Sequence, residues 1–222
     1  MLRILRENSL TIVLSLLFLI FLVAQSLTGW FVENSDREDH HQPEVAYTEY
    51  LESAHFLEAT MENWESEFLQ MSAFVILTVF LYQKGSAESK KLEGEEKVDR
   101  DPKYRRNKKN APWPVRKGGI LLKLYENSLS LAFLFLFLIS LILHAVGGAS
   151  QFNEERMAHG YSGQLSTAQY MMTSRFWFES FQNWQSEFLA VGAMVVLTIW
   201  LRQKGSPESK PVDSPNSQTG SG

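Results

Sequence analysis

Two stretches of this chain, about 120 residues apart, carry the same pattern, and that duplication constrains the fold more than any other feature. Asn63-Trp64-Glu65-Ser66-Glu67-Phe68-Leu69 returns as Asn183-Trp184-Gln185-Ser186-Glu187-Phe188-Leu189. Upstream, Glu7-Asn8-Ser9-Leu10 returns as Glu126-Asn127-Ser128-Leu129; downstream, Gln83-Lys84-Gly85-Ser86 returns as Gln203-Lys204-Gly205-Ser206. A period this long is foreign to solenoids, whose repeats are shorter, and reads as a duplicated two-helix unit.

Each copy contains two apolar runs. Leu10 to Ala24 is Leu, Ile, Val, Phe and Ala apart from Thr11 and Ser15, and Leu129 to Leu143 is its counterpart, interrupted by Ser130 and Ser140. With their flanks these reach the ~20 residues that cross a bilayer as a helix. Helix is the spanning form such runs allow, because lipid leaves backbone polar groups unsatisfied in any open alternative. Arg3, Arg6 and Ala24-Gln25-Ser26 loosely fit a signal peptide, but the run is long for one and its mid-chain partner is not one. The second run of each copy, Phe68–Tyr82 and Phe188–Leu201, is shorter and spans only by recruiting residues back to Asn63 and Asn183. Trp64 and Trp184 then fall at the headgroup layer, with Glu67 and Glu187 just inside it.

Basic residues set the orientation. The segment 82–127 holds 13 Lys and Arg, whereas 28–66 holds Arg37 against ten acids. Positive residues stay cytoplasmic, which puts both termini and the linker inside and makes the copies parallel repeats about an axis along the membrane normal. The expected architecture is an all-α membrane protein with four transmembrane helices as two parallel two-helix repeats. Residues 1–84 form the first (spans about 9–27 and 63–82) and 118–204 the second (spans about 128–146 and 183–202). The charged linker, 85–117, and the Ser-, Pro- and Gly-rich tail, 205–222, are expected to be disordered.

Helices 2 and 4 are expected to extend on the outer side. Tyr47, Tyr50, Ala54, Leu57, Met61, Trp64, Phe68, Met71 and Val75 alternate in threes and fours, and Thr167, Tyr170, Ser174, Trp177, Phe181, Trp184, Phe188, Val191 and Val195 do the same. Unbroken phase predicts one long helix from about Val45 to Tyr82 and another from about Ser166 to Gln203. Phase continuity favours helices that project from the membrane; the aromatic density around Phe176–Phe181 favours helices that lie on it.

Among candidate sites the repeated Asn-Trp-x-Ser-Glu-Phe-Leu comes first. Glu67 and Glu187 sit at matched depths, and a carboxyl group inside a span is a functional hypothesis, for an ion or a proton. The structural alternative is an interfacial helix start in which Asn63, Trp64, Ser66 and Asn183, Trp184, Ser186 bond locally and the acid reaches water; it weighs more, because the acid lies only a turn inside. Gln25 and His144 are paired by the repeat near the outer ends of spans 1 and 3, where histidine titrates near neutral pH or simply closes a helix end. His40-His41 with Asp36, Asp39 and Glu44 is metal-capable, but the second copy shows no equivalent and the segment reads as a solvated acidic loop, so no metal site is expected. His55 and His159 show no clear partners. Asn8-Ser9 and Asn127-Ser128 read as helix N-caps, and Gln-Lys-Gly-Ser as the matching stops.

No catalytic residue is expected: the chain has no cysteine, no phosphate loop and no nucleophile–base constellation. The basic run Arg105–Lys109, beside two spans, suits anionic lipid and gives no reason to expect nucleic acid. The doubled Trp-Glu/Gln-Ser-Glu-Phe-Leu, the Glu-Asn-Ser-Leu helix starts and the four spans resemble a family of uncharacterised bacterial membrane proteins, a domain of unknown function. The resemblance covers nearly all the chain apart from linker and tail. It implies a bacterial inner-membrane protein of undefined activity and carries no catalytic residues over; no cofactor is expected. The expected function is non-enzymatic, through helix–helix or protein–protein interaction along the outer seam, as a homo-oligomer or with another membrane protein. The alternative is a small oligomeric ion- or proton-coupled transporter or channel using Glu67 and Glu187.

Overall fold

The computed structural model describes residues 2–220. Every regular element among them is helical: α1 (Leu2–Glu7), α2 (Ser9–Asp39), α3 (Tyr47–Tyr50), α4 (Ala54–Phe80), α5 (Trp113–Lys117), α6 (Gly119–Glu126), α7 (Ser128–Ala158), α8 (Thr167–Tyr170) and α9 (Ser174–Leu197), with 3₁₀ turns at Lys97–Asp99 and Pro102–Arg105. The copies match element for element, α1–α4 against α6–α9.

Two features differ from the sequence expectation. Extra helix length is not confined to the second helix of each repeat: α2 and α7 are 31 residues each, ~46 Å of helix, longer than a ~30 Å hydrocarbon core. The long helices expected from Val45 and Ser166 are instead interrupted after α3 and α8. Ser53 Oγ accepts from the Phe56 N–H (3.2 Å) and Thr173 Oγ1 from the Phe176 N–H (3.3 Å), so each long helix has its own N-cap. The hydrophobic phase survives such a break because the intervening residues are few.

The Asn-Ser pairs also act differently from expectation. Asn8 Nδ2 donates to the Ile4 carbonyl and Asn127 Nδ2 to the Lys123 carbonyl, both at 2.9 Å. They close the short helix before each apolar run rather than cap the run itself.

The chain forms two compact units. The first comprises 1–61 and 142–176, the second 62–141 and 177–222. In the second, α4, α7 and α9 pack on one another through Phe68–Phe133 and Phe137–Trp184 ring contacts and a Ser72 Oγ bond to the Ser130 carbonyl (3.3 Å). Its linker and tail, expected to be disordered, hold defined turns, though the tail's last two residues lie outside the described ones. After each repeat the chain turns identically: Gly85 and Gly205 adopt φ of 87° and 85°, and the Gln83 and Gln203 N–H groups donate to Ser89 and Ser209 Oγ at 2.9 Å. Lys210, 1 % exposed, donates to the carbonyls of Gly85, Ile199, Asn216 and Gln218, and burial, with Arg202 beside it, pushes its ammonium pKa down.

In the first unit, α2 and α7 are each gripped by the segment returning from their far end. Asn34 binds the Val45 N–H and C=O (2.9 and 3.2 Å); Asn153 binds those of Leu165 (2.8 and 2.9 Å). The short helices α3 and α8 then deliver Tyr50 and Tyr170, 1 % and 0 % exposed, against Gly29 and Gly148. A Cβ on Gly29 would lie 2.1 Å from the Tyr50 hydroxyl, and one on Gly148 would lie 2.5 Å from the Tyr170 ring.

Candidate functional site

The first unit buries three polar side chains together. Glu58 on α4, His144 on α7 and Tyr170 on α8 are 6 %, 0 % and 0 % exposed. The Tyr170 hydroxyl donates to Glu58 Oε1 at 3.2 Å, and a ring nitrogen of His144 lies within 4.8 Å of a Glu58 carboxylate oxygen. The backbone builds this site through two adjacent glycines. At Gly147, α7 comes so near α4 that a Cβ would sit 2.8 Å from the Glu58 N; at Gly148 it would meet Glu58 Oε1 at 2.8 Å. Phe176, fully buried, stacks on the His144 ring with centroids 4.8 Å apart and seals it from solvent. A carboxylate, an imidazole and a phenol brought together out of water can hold a proton or a cation, and such groups are seldom buried without a partner.

The counterpart of this site in the first repeat is chemically milder. Tyr50 OH bonds His55 Nδ1 at 3.1 Å, and burial, then the charge of Glu33, pushes the phenol up to about 12. Gln25, the repeat partner of His144, reaches Thr60 at 3.5 Å. Gln25 and His144 therefore both address α4, at Thr60 and Glu58.

A second cluster lies at the C-terminal ends of α2 and α7, also within the first unit. A cleft of about 630 Å³ is lined by Glu33, Asp36, Arg37, His40, Glu154 and His159, among others. Arg37 pairs with Glu33 (2.6 Å), and Arg175 with Glu155 through a bidentate contact. The cleft walls hold the Glu154 carboxyl above its ordinary range by stripping water from it; Glu33 adds to this and Arg37 opposes it. The rings of His40 and His159 meet edge to face, 5.5 Å between centroids. The acidic segment at His40 thus has a second-copy counterpart after all: His159 is its repeat equivalent, and His55 also has a partner, in Tyr50.

The repeated Asn-Trp-x-Ser-Glu-Phe-Leu falls in the second unit. Ser66 and Ser186 bond locally, each donating to the carbonyl three residues back at 2.8 Å. Trp184 Nε1 donates to Glu65 Oε1 (2.8 Å), and Asn183 Nδ2 to Glu62 Oε1. Trp64 packs edge-on against Phe68, with Asn63 exposed one residue before it. Glu65 is the fully buried acid of the motif; Glu67 is exposed and Glu187 half-buried, close enough for their charges to repel. Sequence reasoning passed over Glu58, Glu65 and Tyr170. Glu58 and Glu65 carried one usable signal, since acids stand there in the first copy where Phe178 and Gln185 stand in the second.

These features define an all-helical protein in which two helices, α2 and α7, are long and apolar enough to cross a membrane. The chain belongs to the family described as Domain of unknown function (DUF6766), whose model matches residues 1–221. Comparison with curated proteins and with solved structures gave no match.

Proposed function

We propose that this is a multi-pass protein of the bacterial inner membrane that works without catalysis, by binding another helix or protein within the bilayer. The observation that carries this reading is the state of α2. Only 6 % of its apolar window is covered by the rest of the chain, against 22 % for α7. Leu14, Phe18, Phe21 and Phe31 are among its exposed side chains, and a face of that size needs lipid or a partner. The α4 and α9 helices, 27 and 24 residues long, make the other two crossings in this reading only if each enters the bilayer ahead of its motif tryptophan, Trp64 or Trp184. The charge asymmetry of the loops supports cytoplasmic termini and linker, and the basic linker then faces anionic lipid.

The absence of cysteine makes the topology directly testable. Single cysteines at 41, 104, 161 and 213 are added to full-length protein in cells and probed with an impermeant maleimide. Labelling at 41 and 161, with 104 and 213 protected until the membrane is opened, supports the four-span reading; labelling of 104 in intact cells ends it. Association is read by the size of the complex extracted in nanodiscs. A monomer with no co-purifying membrane protein would count against the binding role.

A second reading is favoured by the buried Glu58–His144–Tyr170 cluster, namely an oligomeric ion- or proton-coupled transporter or channel. Burial makes Glu58 a better carboxylate for that role than Glu67 or Glu187. Flux in proteoliposomes that survives Glu58→Gln and the Glu67→Gln, Glu187→Gln pair alike rules it out.

A further inference from the structure

The turn that ends each repeat carries an acid. Gln83-Lys84-Gly85-Ser86-Ala87-Glu88-Ser89-Lys90 recurs as Gln203-Lys204-Gly205-Ser206-Pro207-Glu208-Ser209-Lys210. Both turns are built alike, the Glu88 and Glu208 N–H groups donating to Ser86 and Ser206 Oγ at 3.1 and 3.2 Å. The surroundings of the two acids differ: Glu208 is exposed, whereas Glu88 is half-buried. The first turn is also fixed from outside. Ser86 Oγ lies 3.0 Å from Thr198 Oγ1 just past α9, the Gly85 N–H donates to Thr219 Oγ1 at 2.9 Å, and Lys210 Nζ donates to the Gly85 carbonyl. Glu88 is therefore held in place before any ligand arrives, which lowers the ordering cost of binding.

Glu88 lines an apolar crevice of about 310 Å³ between α4 and α9. Phe74 and Leu77 of α4 and Phe188, Val191 and Val195 of α9 form its walls, and Gln83, Glu88 and Ser89 bring polar groups to it from the turn. At Gly192 the α9 wall is open: a Cβ there would meet nothing within 4 Å. Apolar walls with a few fixed polar groups are the usual make-up of a small-molecule site, and the volume falls at the lower end of the ~300–1,000 Å³ such sites occupy. No lysine or arginine stands among the described residues that line it. Glu88 itself makes no ion pair and no side-chain hydrogen bond among the described residues. Burial, then the charge of Glu208, pushes its carboxyl above the usual range, so the carboxylate lacks a counter-charge where it stands.

A lipid acyl chain would cover the walls but leave that carboxylate uncompensated. A cation with an apolar body meets both halves of the crevice. Aromatic faces favour it further, since Tyr82 and Phe188 also line the space. The Tyr82 ring already has an ammonium group beside it: Lys90 Nζ lies 5.9 Å from its centroid, with its charge taken up by Asp99 at 2.7 Å. We propose that the crevice between α4 and α9 binds a lipophilic monovalent cation, a substituted ammonium whose head meets the Glu88 carboxylate and whose apolar body lies between the helix walls. Neither reading of function above uses Glu88. In the four-span reading the crevice opens in the inner leaflet, but binding needs only the crevice and not that topology.

The test uses full-length protein in zwitterionic nanodiscs, dialysed against radiolabelled octyltrimethylammonium, with empty discs as the blank and octanoate as the anion of equal chain length. The expected result is saturable uptake of the cation and none of octanoate. Glu88→Gln keeps the shape and removes the charge, and should weaken binding at least ~10-fold, as loss of one contact to a charged group does. Gly192→Leu should weaken it as much by filling the crevice, without cost to α9, since leucine is a better helix former than glycine. Glu93→Gln, at an exposed linker acid outside the crevice, should leave binding unchanged. Circular dichroism checks that each variant keeps its helices; should Gly192→Leu unfold, Glu88→Gln decides alone. Wild type that takes up no more cation than empty discs, octanoate bound as well as the cation, or a folded Glu88→Gln or Gly192→Leu that binds as wild type does each overturn the proposal. So does a loss in Glu93→Gln equal to that in Glu88→Gln, which would reduce the effect to surface charge.

Discussion

The two repeats use the same scaffold for different contents. Asn34 and Asn153 make the same pair of backbone bonds, Ser53 and Thr173 cap the same helix, and Tyr50 and Tyr170 bury the same ring against Gly29 and Gly148. The side chains around those rings have diverged. Tyr50 meets His55, with Gln25 and Thr28 on the neighbouring α2; Tyr170 meets Glu58, with His144 and Gly147 in the equivalent positions on α7. Around these two rings, the groups that satisfy backbone are shared, whereas the buried carboxylate is not. A buried carboxylate beside an imidazole stands at only one of two equivalent positions, so the shared scaffold does not require it.

Gly147 gives the largest test of that difference. A Cβ there meets backbone, at 2.8 Å from the Glu58 N and 3.2 Å from the Ala54 carbonyl oxygen, so no side chain can swing aside. Gly147→Ala should cost about 3 kcal/mol or more, the upper range for overpacking. Its counterpart, Thr28→Ala, should be near neutral. Fluorescence-detected gel filtration after heating reads both, and equal midpoints for the two variants would remove the close approach as the distinguishing feature.

The second test is alkaline. The Tyr50 phenol is raised from 10.0 to about 12 in the folded chain. Folding therefore favours its neutral form: the stabilisation is complete below pH 10 and is lost as pH rises through 12. At full loss this amounts to about 2–3 kcal/mol. Wild type should lose thermal stability relative to Tyr50→Phe between pH 10 and 12; parallel curves across that window would show that the phenol is not buried as described.

Much of the scaffold was legible because it is periodic or repeated. The apolar runs gave α2 and α7, and the doubled motifs gave the matching of elements. What remained hidden was decided by contacts between residues far apart in sequence. Glu58 looks like one acid of ten in an acidic segment, and only the glycine approach of α7 buries it. The emphasis on Glu67 and Glu187 came from their recurrence in both copies, whereas the fully buried acid of the motif is Glu65, which does not recur. The interruptions that Ser53 and Thr173 cap left no mark on the hydrophobic phase, because a short break leaves that phase intact. The offset of about 119 residues that pairs Gln25 with His144 also pairs His40 with His159, so that contact was readable once the register was applied outside the motifs.

The asparagine clamps should show a smaller asymmetry. In the first copy the Val45 carbonyl also accepts from Trp30 Nε1 at 2.8 Å, while Ala149 stands at Trp30's place in the second. Asn153→Ala leaves both Leu165 groups without that support and should cost about 2–3 kcal/mol; Asn34→Ala, with the indole still in place, about 1–2 kcal/mol. Equal losses would mean that the Trp30 bond does not compensate.

The finest comparison is between the tyrosines themselves. Tyr50→Phe removes a bond to an imidazole nitrogen, worth about 0.5–1.5 kcal/mol, and Tyr170→Phe removes one to a carboxylate oxygen, worth about 1.5–3 kcal/mol. Both rings stay buried against their glycines, so packing cancels and the difference, about 1 kcal/mol, isolates what the second repeat holds. Repeating the measurement in a Glu58→Gln background closes the cycle. With a neutral amide as acceptor, Tyr170→Phe should fall to the cost of Tyr50→Phe. If it does not, the extra cost at Tyr170 comes from what its hydroxyl does besides meeting the Glu58 carboxylate, and the asymmetry between the repeats does not rest on that charge.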